Sequence, residues 1–278
     1  SYVSIENARL NMNTEQPGFD FDKVRTAAST MWNKDLSKVQ VEGGTKDEKT
    51  IFYTGMYHLL IHPNILQDVN GEYPMMESLK VGHTTGNRYT VFSLWDTYRN
   101  VSTDDLALSG APIGYYPYDA GYVPGKTVGY RNGSFTDETF TMEGDPSIPY
   151  IVDAWMRGLR DFDEQTAYEA MRKGATTPGE FNLLRPDAND YFSKGYVPLR
   201  EQYDNSVSHA LEYYIADWNL ANFAQALGKK EDAKLFRDRS LGYKHYYSKE
   251  FGKRSVRYCL TVLFIVRLIR DRERNFEP

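Results

Sequence analysis

Helical periodicity dominates the second half of the chain. Apolar positions recur at helical spacing through SIPYIVDAWMRGLRDF, EQTAYEAMRKGA, SVSHALEYYIADWNLANFAQALG and KKEDAKLFRDRSLGYKHYY. Gly228 stands where a helix C-cap is expected, and the few residues joining the last two helices predict an antiparallel pair. Earlier, Phe21, Val24, Ala28, Met31 and Leu36 follow the same spacing within FDKVRTAASTMWNKDLSKV. Thr45 and Glu48 have capping-box separation and lead into IFYTGMYHLLIH, which Pro63 is expected to stop. DVNGEY holds an Asn-Gly pair that favours positive φ, so a turn is expected. The opening SYVSIENARLNM alternates as a strand does. No fixed-length repeat is visible, so the succession of helix pairs predicts a helical barrel or toroid whose loops form one functional rim.

Two segments break this pattern. Residues 102–137, STDDLALSGAPIGYYPYDAGYVPGKTVGYRNGSFTD, form a Gly-, Pro- and Tyr-rich stretch too long for an ordinary loop. Residues 255–278, SVRYCLTVLFIVRLIRDRERNFEP, hold the only cysteine, the densest aliphatic run and a cluster of arginines. The apolar part of that tail, 258–266, falls far short of the roughly 20 residues a membrane-spanning helix needs. Membrane insertion is therefore not expected.

Composition narrows the classes. A chain of 278 residues can bury a sizeable core. Its net charge of -5 and mean hydropathy of -0.61 lack the basic excess that phosphate backbones select, so nucleic acid is not an expected partner. A single cysteine excludes an internal disulfide, and no zinc-type spacing occurs. The 22 tyrosines suit either a Tyr-rich core or a surface that recognises sugars.

Few residues carry candidate chemistry. Trp95 and Asp96 are adjacent in YTVFSLWDTYRN: an indole stacks on a pyranose face, and a carboxylate accepts hydrogen bonds from two neighbouring hydroxyls. A buried Trp beside a helix-capping Asp fits the same spacing. Glu143 and Asp145, in TFTMEGDPSIP, precede a helix and suit acid-base work, metal binding or simple stabilisation of the helix N-terminus. His58 and His62 lie four apart, but Pro63 follows and no third metal ligand is near, so the five histidines read as core or surface residues. Ser206 reads as an N-cap, and the neighbouring Ser208 and His209 form no triad. No phosphate-binding glycine loop is present.

The runs SYVSIENARLNM, IFYTGMYHLLIHPNILQDVNGEY, YTVFSLWDTYRNV, TFTMEGDPSIPYIVDAWMRGLRDFD, TAYEAMRK and NSVSHALEYYIADW resemble glycoside hydrolase family 92, the calcium-dependent, inverting exo-α-mannosidases. The resemblance covers most of the chain in the family's order. It implies an all-α class: a partial (α/α)6 barrel, here residues 20–278, preceded by a strand and linker, 1–19, left from an N-terminal β-sandwich. It also implies that Trp95 and Asp96 contact the terminal mannose, with Glu143 and Asp145 on the same rim. Mannose-containing glycans become the expected partner, calcium the expected cofactor, and an α-1,2 linkage the expected substrate bond. A periplasmic or extracellular location follows from the resemblance alone.

The family's general acid belongs to an HEGN-type motif soon after an NFEP-like segment, and the NEP and GNDD motifs with calcium ligands and base follow later. This chain ends at NFEP. The acid, the base and the calcium ligands are thus expected beyond residue 278, and the isolated fragment is expected to be inactive. A non-catalytic helical module that binds glycans or protein is the competing expectation.

The family pattern vanishes within both odd segments and then resumes in register, as compensating frameshifts would produce. With permitted codons read one base out of phase, 108–125 can give YPERQLDIIRTMLDMYQE, 127–137 can give NGWLPKWELYG, and 256–273 can give RPVLPDGSFYSPFDPRQG. Residues 102–137 and 253–274 are therefore expected to be frameshifted.

Overall fold

The computed structural model describes residues 1–75, 80–90, 94–98, 143–160, 162–182, 184–198 and 205–246. Both segments read as frameshifted, 102–137 and 253–274, lie outside them. The chain divides into two compact units. Of the described residues, the first unit holds 1–98 and Asp153–Glu164, and the second holds Glu143–Val152 and everything from 165 onward.

The first unit opens with α1, Ile5–Glu15, where a strand was expected. The correction has a local cause: the Ser4 side chain accepts from the Asn7 backbone N–H, a helix N-cap that period-two alternation conceals. One turn apart on α1, Asn7 and Asn11 both donate to the Asp68 carboxylate, at 2.8 and 2.7 Å. Gly71, φ +86°, makes the turn expected from DVNGEY, and the strands β1, Glu72–Pro74, and β2, Val81–His83, pair antiparallel beyond it. Burial disfavours the Asp68 anion, but bonds from Asn11, Ser1 and Asn7 outweigh it and hold the pKa below the ordinary carboxylate value.

Helix α2, Phe21–Leu36, begins at an Asp20 cap, and α3, Lys46–Leu59, begins at the expected Thr45/Glu48 capping box. The helix α3 ends before Pro63, whose ring disfavours helical backbone in the residue before it. Trp32 meets Tyr57 with ring centroids 4.5 Å apart. The apolar stripe of α2 is not buried: Phe21 and Met31 are 74% and 67% exposed. Periodicity located the helix correctly, but it does not say whether a stripe finds a partner. The short α4, Leu94–Thr97, completes this stretch.

Helix α5, Ser147–Met156, is followed by α6, Glu164–Thr176, and α7, Ala188–Lys194. The second unit is organised around α8, Ser206–Ala226, which is buried on several sides through Ala210, Leu211, Tyr213, Tyr214, Ala216, Asp217 and Leu220. Ser206 is the first helical residue rather than the expected cap; Asn205 occupies the cap position without a side-chain bond. Gly228, φ +75°, turns the chain into α9, Lys230–Ser240. Contacts from Asn222 to Arg237 and from Asp217 to Arg239 run in opposite order along the two helices, as the short connection predicted.

Tyr191, Tyr213 and Tyr214 pack with Val197, Ala210 and Leu211, and Tyr243 and Tyr246 pack against this cluster. Two of its hydroxyls are bonded inward: Tyr246 donates to the Val197 carbonyl at 2.8 Å and Tyr214 to the Gly195 carbonyl at 2.6 Å. These tyrosines build a core rather than a sugar-facing surface.

Replacing Asp68 with Ala removes one acceptor of the buried Asn7 amide, which keeps its bond to Glu72, and the acceptor of Asn11, an expected local cost of about 1–3 kcal/mol, visible as faster hydrogen exchange in α1. Because the Asp68 pKa is lower folded than unfolded, its stabilisation is present above about pH 3.9 and is lost as pH falls through the folded value. Helix α1 should therefore loosen selectively in acid, and equal protection of α1 on both sides of that transition would contradict the assignment.

Candidate functional site

The site in the second unit is built on a buried cation. Arg185 is fully buried; its Nε lies 3.3 Å from Asp145 and its Nη1 2.8 Å from Asp217. Asp217 is also fully buried and faces Arg239 Nε at 2.8 Å, while the Tyr191 hydroxyl donates to it at 2.9 Å. Two guanidinium groups thus balance two carboxylates. Burial pushes Asp145 toward its neutral form and Arg185 opposes that push. Burial also works against the Arg185 charge, yet Asp217 and Asp145 raise its pKa above the ordinary value. Tyr191 is raised well above its ordinary value by burial and then by Asp217, which keeps it a donor.

Glu143, Gly144 and Asp145 approach this network as a tight turn before α5. Gly144 has φ +82°, and a Cβ there would collide with Glu212 Cβ on α8, so both backbone conformation and space demand glycine. The turn sends its two carboxylates in different directions. Asp145 goes inward, 2% exposed, accepting from Ser147 Oγ at 2.9 Å as well as from Arg185. Glu143 stays at the surface side, with its carboxylate 3.9 Å from His209 Nε2. On the other edge of that imidazole, Nδ1 lies 2.9 Å from the Asp187 carboxylate.

Asp187 occupies the cap position of α7, but its side chain makes no cap bond and serves His209 instead. The structure therefore joins Glu143 and Asp145 to His209, which the sequence reading set aside, and to Asp187, Arg185 and Asp217, which it did not single out. Asp217 carried the one usable signal: a lone acid inside the apolar run YYIADWNLANF is seldom buried without a partner. His209 was set aside because its sequence neighbour is no partner; its real partners lie 22 and 66 residues away.

Trp95 and Asp96 belong to the first unit, on α4, with Trp95 half-buried and Asp96 exposed. Among the described residues no group of three or more His, Cys, Asp or Glu side chains is arranged to hold a metal ion. Among them, too, no helix is long and apolar enough to cross a membrane.

Fold and site define an all-α domain with a buried charge network beneath a polar, histidine-bearing edge. Residues 7–276 match the "Glycosyl hydrolase family 92 catalytic domain", and the chain belongs to that family. The resemblance carried by the motifs is borne out. The family GH92 α-mannosidase BT3965 from Bacteroides thetaiotaomicron is 31% identical with TM-score 0.73, covering 90% of this chain and 33% of that one. The family GH92 inverting mannosidase BT2199 from the same species is 27% identical with TM-score 0.76, covering 91% and 35%. An uncharacterized secreted glycosidase from Arthroderma benhamiae is 27% identical over 248 residues, 84% of this chain and 28% of that protein. This chain spans about a third of the length of such relatives. The expected helical class, part of an α/α barrel, stands.

Removing one partner of the buried network should be severe. Asp217→Ala is expected to lower the unfolding free energy by about 3–5 kcal/mol in urea titration. Lys234→Ala, which breaks the exposed Lys234–Asp238 pair on α9, should leave the midpoint nearly unchanged. Similar effects of both substitutions would refute the central role of Asp217.

Proposed function

We propose that the whole protein to which this chain belongs is an inverting, calcium-dependent exo-α-mannosidase that releases α-1,2-linked mannose from glycans. The observation that carries this reading is the family match over residues 7–276, supported by the likeness to two mannosidase structures. One of those enzymes has also been solved in complex with mannoimidazole. Within the first unit, Trp95 supplies a stacking face for a mannose ring and Asp96 accepts hydrogen bonds from its hydroxyls; in the second unit, Glu143 is taken separately as an acceptor for sugar hydroxyls. Asp145, buried against Arg185, positions the Glu143 turn rather than meeting the sugar. The similarity to a secreted glycosidase supports export. A β-sandwich domain preceding the helical part belongs to the same proposal.

An inverting glycosidase needs an acid for the leaving oxygen and a base for water, with carboxyl groups about 6.5–9.5 Å apart. The family's motifs for both have no counterpart in this sequence. On this reading the 278-residue chain by itself does not turn over a mannoside. Calcium, which helps bind and distort the sugar in the family, takes its ligands in this proposal from the part of the whole protein beyond residue 278.

Incubation of the isolated chain with α-1,2-linked mannobiose and calcium is expected to release no mannose; robust turnover would sink the proposal of an incomplete catalytic unit. Trp95→Ala should weaken binding of methyl α-mannopyranoside by about tenfold in calorimetry, and unchanged affinity would remove Trp95 from the sugar site. Sequencing the coding DNA tests the frameshifted origin of 102–137 and 253–274: codons that cannot be re-read in the shifted frame would overturn it.

A further inference from the structure

Two carboxylates from distant parts of the chain flank the His209 imidazole. Asp187 lies 2.9 Å from Nδ1 and Glu143 lies 3.9 Å from Nε2. Their side chains are 16% and 17% exposed, and that of His209 is 17% exposed, so the group stands at the surface margin of the second unit. The short contact holds the Nδ1 edge of the ring against Asp187 and leaves the Nε2 edge facing Glu143. The 3.9 Å separation is longer than a direct hydrogen bond, so Nε2 and the Glu143 carboxylate are neighbours in space.

Three features keep the imidazole in place. Its ring packs against Tyr213, with centroids 6.2 Å apart. Asp187 gives its side chain to His209 instead of capping α7. One helical turn beyond His209, Glu212 packs against Gly144, so the glycine contact sets the distance between α8 and the turn that carries Glu143.

We propose that His209 is a positioning residue: held by Asp187, its imidazole aims the Glu143 carboxylate at a pair of neighbouring mannose hydroxyls. The ligand half of this inference rests on the reading of Glu143 as a sugar contact. The Asp187–His209–Glu143 contact stands on geometry alone. His209 touches no sugar in this role and acts through Glu143.

Two near-isosteric substitutions separate its edges. His209→Asn keeps a donor at the Nδ1 position toward Asp187 and loses the group facing Glu143, whereas His209→Gln keeps a donor at the Nε2 position. In the full 278-residue chain, His209→Asn is expected to weaken methyl α-mannopyranoside binding about tenfold, with little change in melting temperature. His209→Gln should retain most of the affinity. Glu143→Gln should weaken binding similarly, and adding His209→Asn to it should cause little further loss.

A readout independent of sugar accompanies these. In 15N-labelled chain, Glu143→Gln should move the His209 Nε2 resonance and leave Nδ1 in place, while Asp187→Asn should move Nδ1. An Nε2 signal indifferent to Glu143→Gln overturns the proposal whatever the sugar does, as does wild-type affinity in His209→Asn. If Nε2 responds but the wild-type chain binds no mannoside, the positioning of Glu143 stands and the mannose reading alone fails.

Discussion

Arg185 has no water to solvate it, and the second unit is arranged to answer that fact. Its guanidinium reaches Asp145 ahead of α5 and Asp217 in the middle of α8; Asp217 in turn takes Tyr191 from α7 and Arg239 from α9. One buried cation thereby registers four elements. The network adds little net stability over a well-packed apolar core, because desolvating the charges offsets much of their attraction. Its effect lies in exclusivity: any other register of these helices would leave a charge buried without a partner, and that cost is far larger than the gain of a slightly different packing.

The turn at Gly144 converts this interior constraint into a surface geometry. Drawing Asp145 down to Arg185 leaves Glu143 on the opposite side of the turn, and the glycine lets the backbone lie against Glu212. His209 stands one helical turn before Glu212, so the same contact sets Glu143 beside the imidazole. Core and edge are therefore one construction. A displacement of α8 along its axis would move the imidazole and the carboxylate network together.

Legibility in the sequence follows the range of each interaction. The Thr45 capping box, the stop before Pro63, the Asn-Gly turn and Gly228 all depend on neighbours within a few residues, and each is where the pattern put it. Helix α1 was missed because its decisive contact, the Ser4 oxygen on the Asn7 amide, leaves no trace in hydrophobic alternation. Its long-range grip on Asp68 is equally silent. The exposed stripe of α2 shows the complementary limit, since amphipathic spacing states that a face wants cover without naming what covers it. Arg185, Asp217 and His209 find their partners 22 to 66 residues away, which no local pattern encodes.

Glu143 and Asp145 show why a motif position alone does not define a role. The two acids are separated by one glycine and share every sequence argument made for them. Their environments differ completely. A carboxylate enclosed by Arg185 and Ser147 is saturated with donors and cannot reach a ligand without first stranding a buried guanidinium. The Glu143 carboxylate stands at the margin instead, 17% exposed and facing an imidazole across 3.9 Å. Burial therefore divides the pair into a residue that holds the turn and a residue that the turn presents. The same test separates Trp95 from Asp96: the indole is half-buried and the neighbouring acid is exposed, so the adjacent pair meets two different environments.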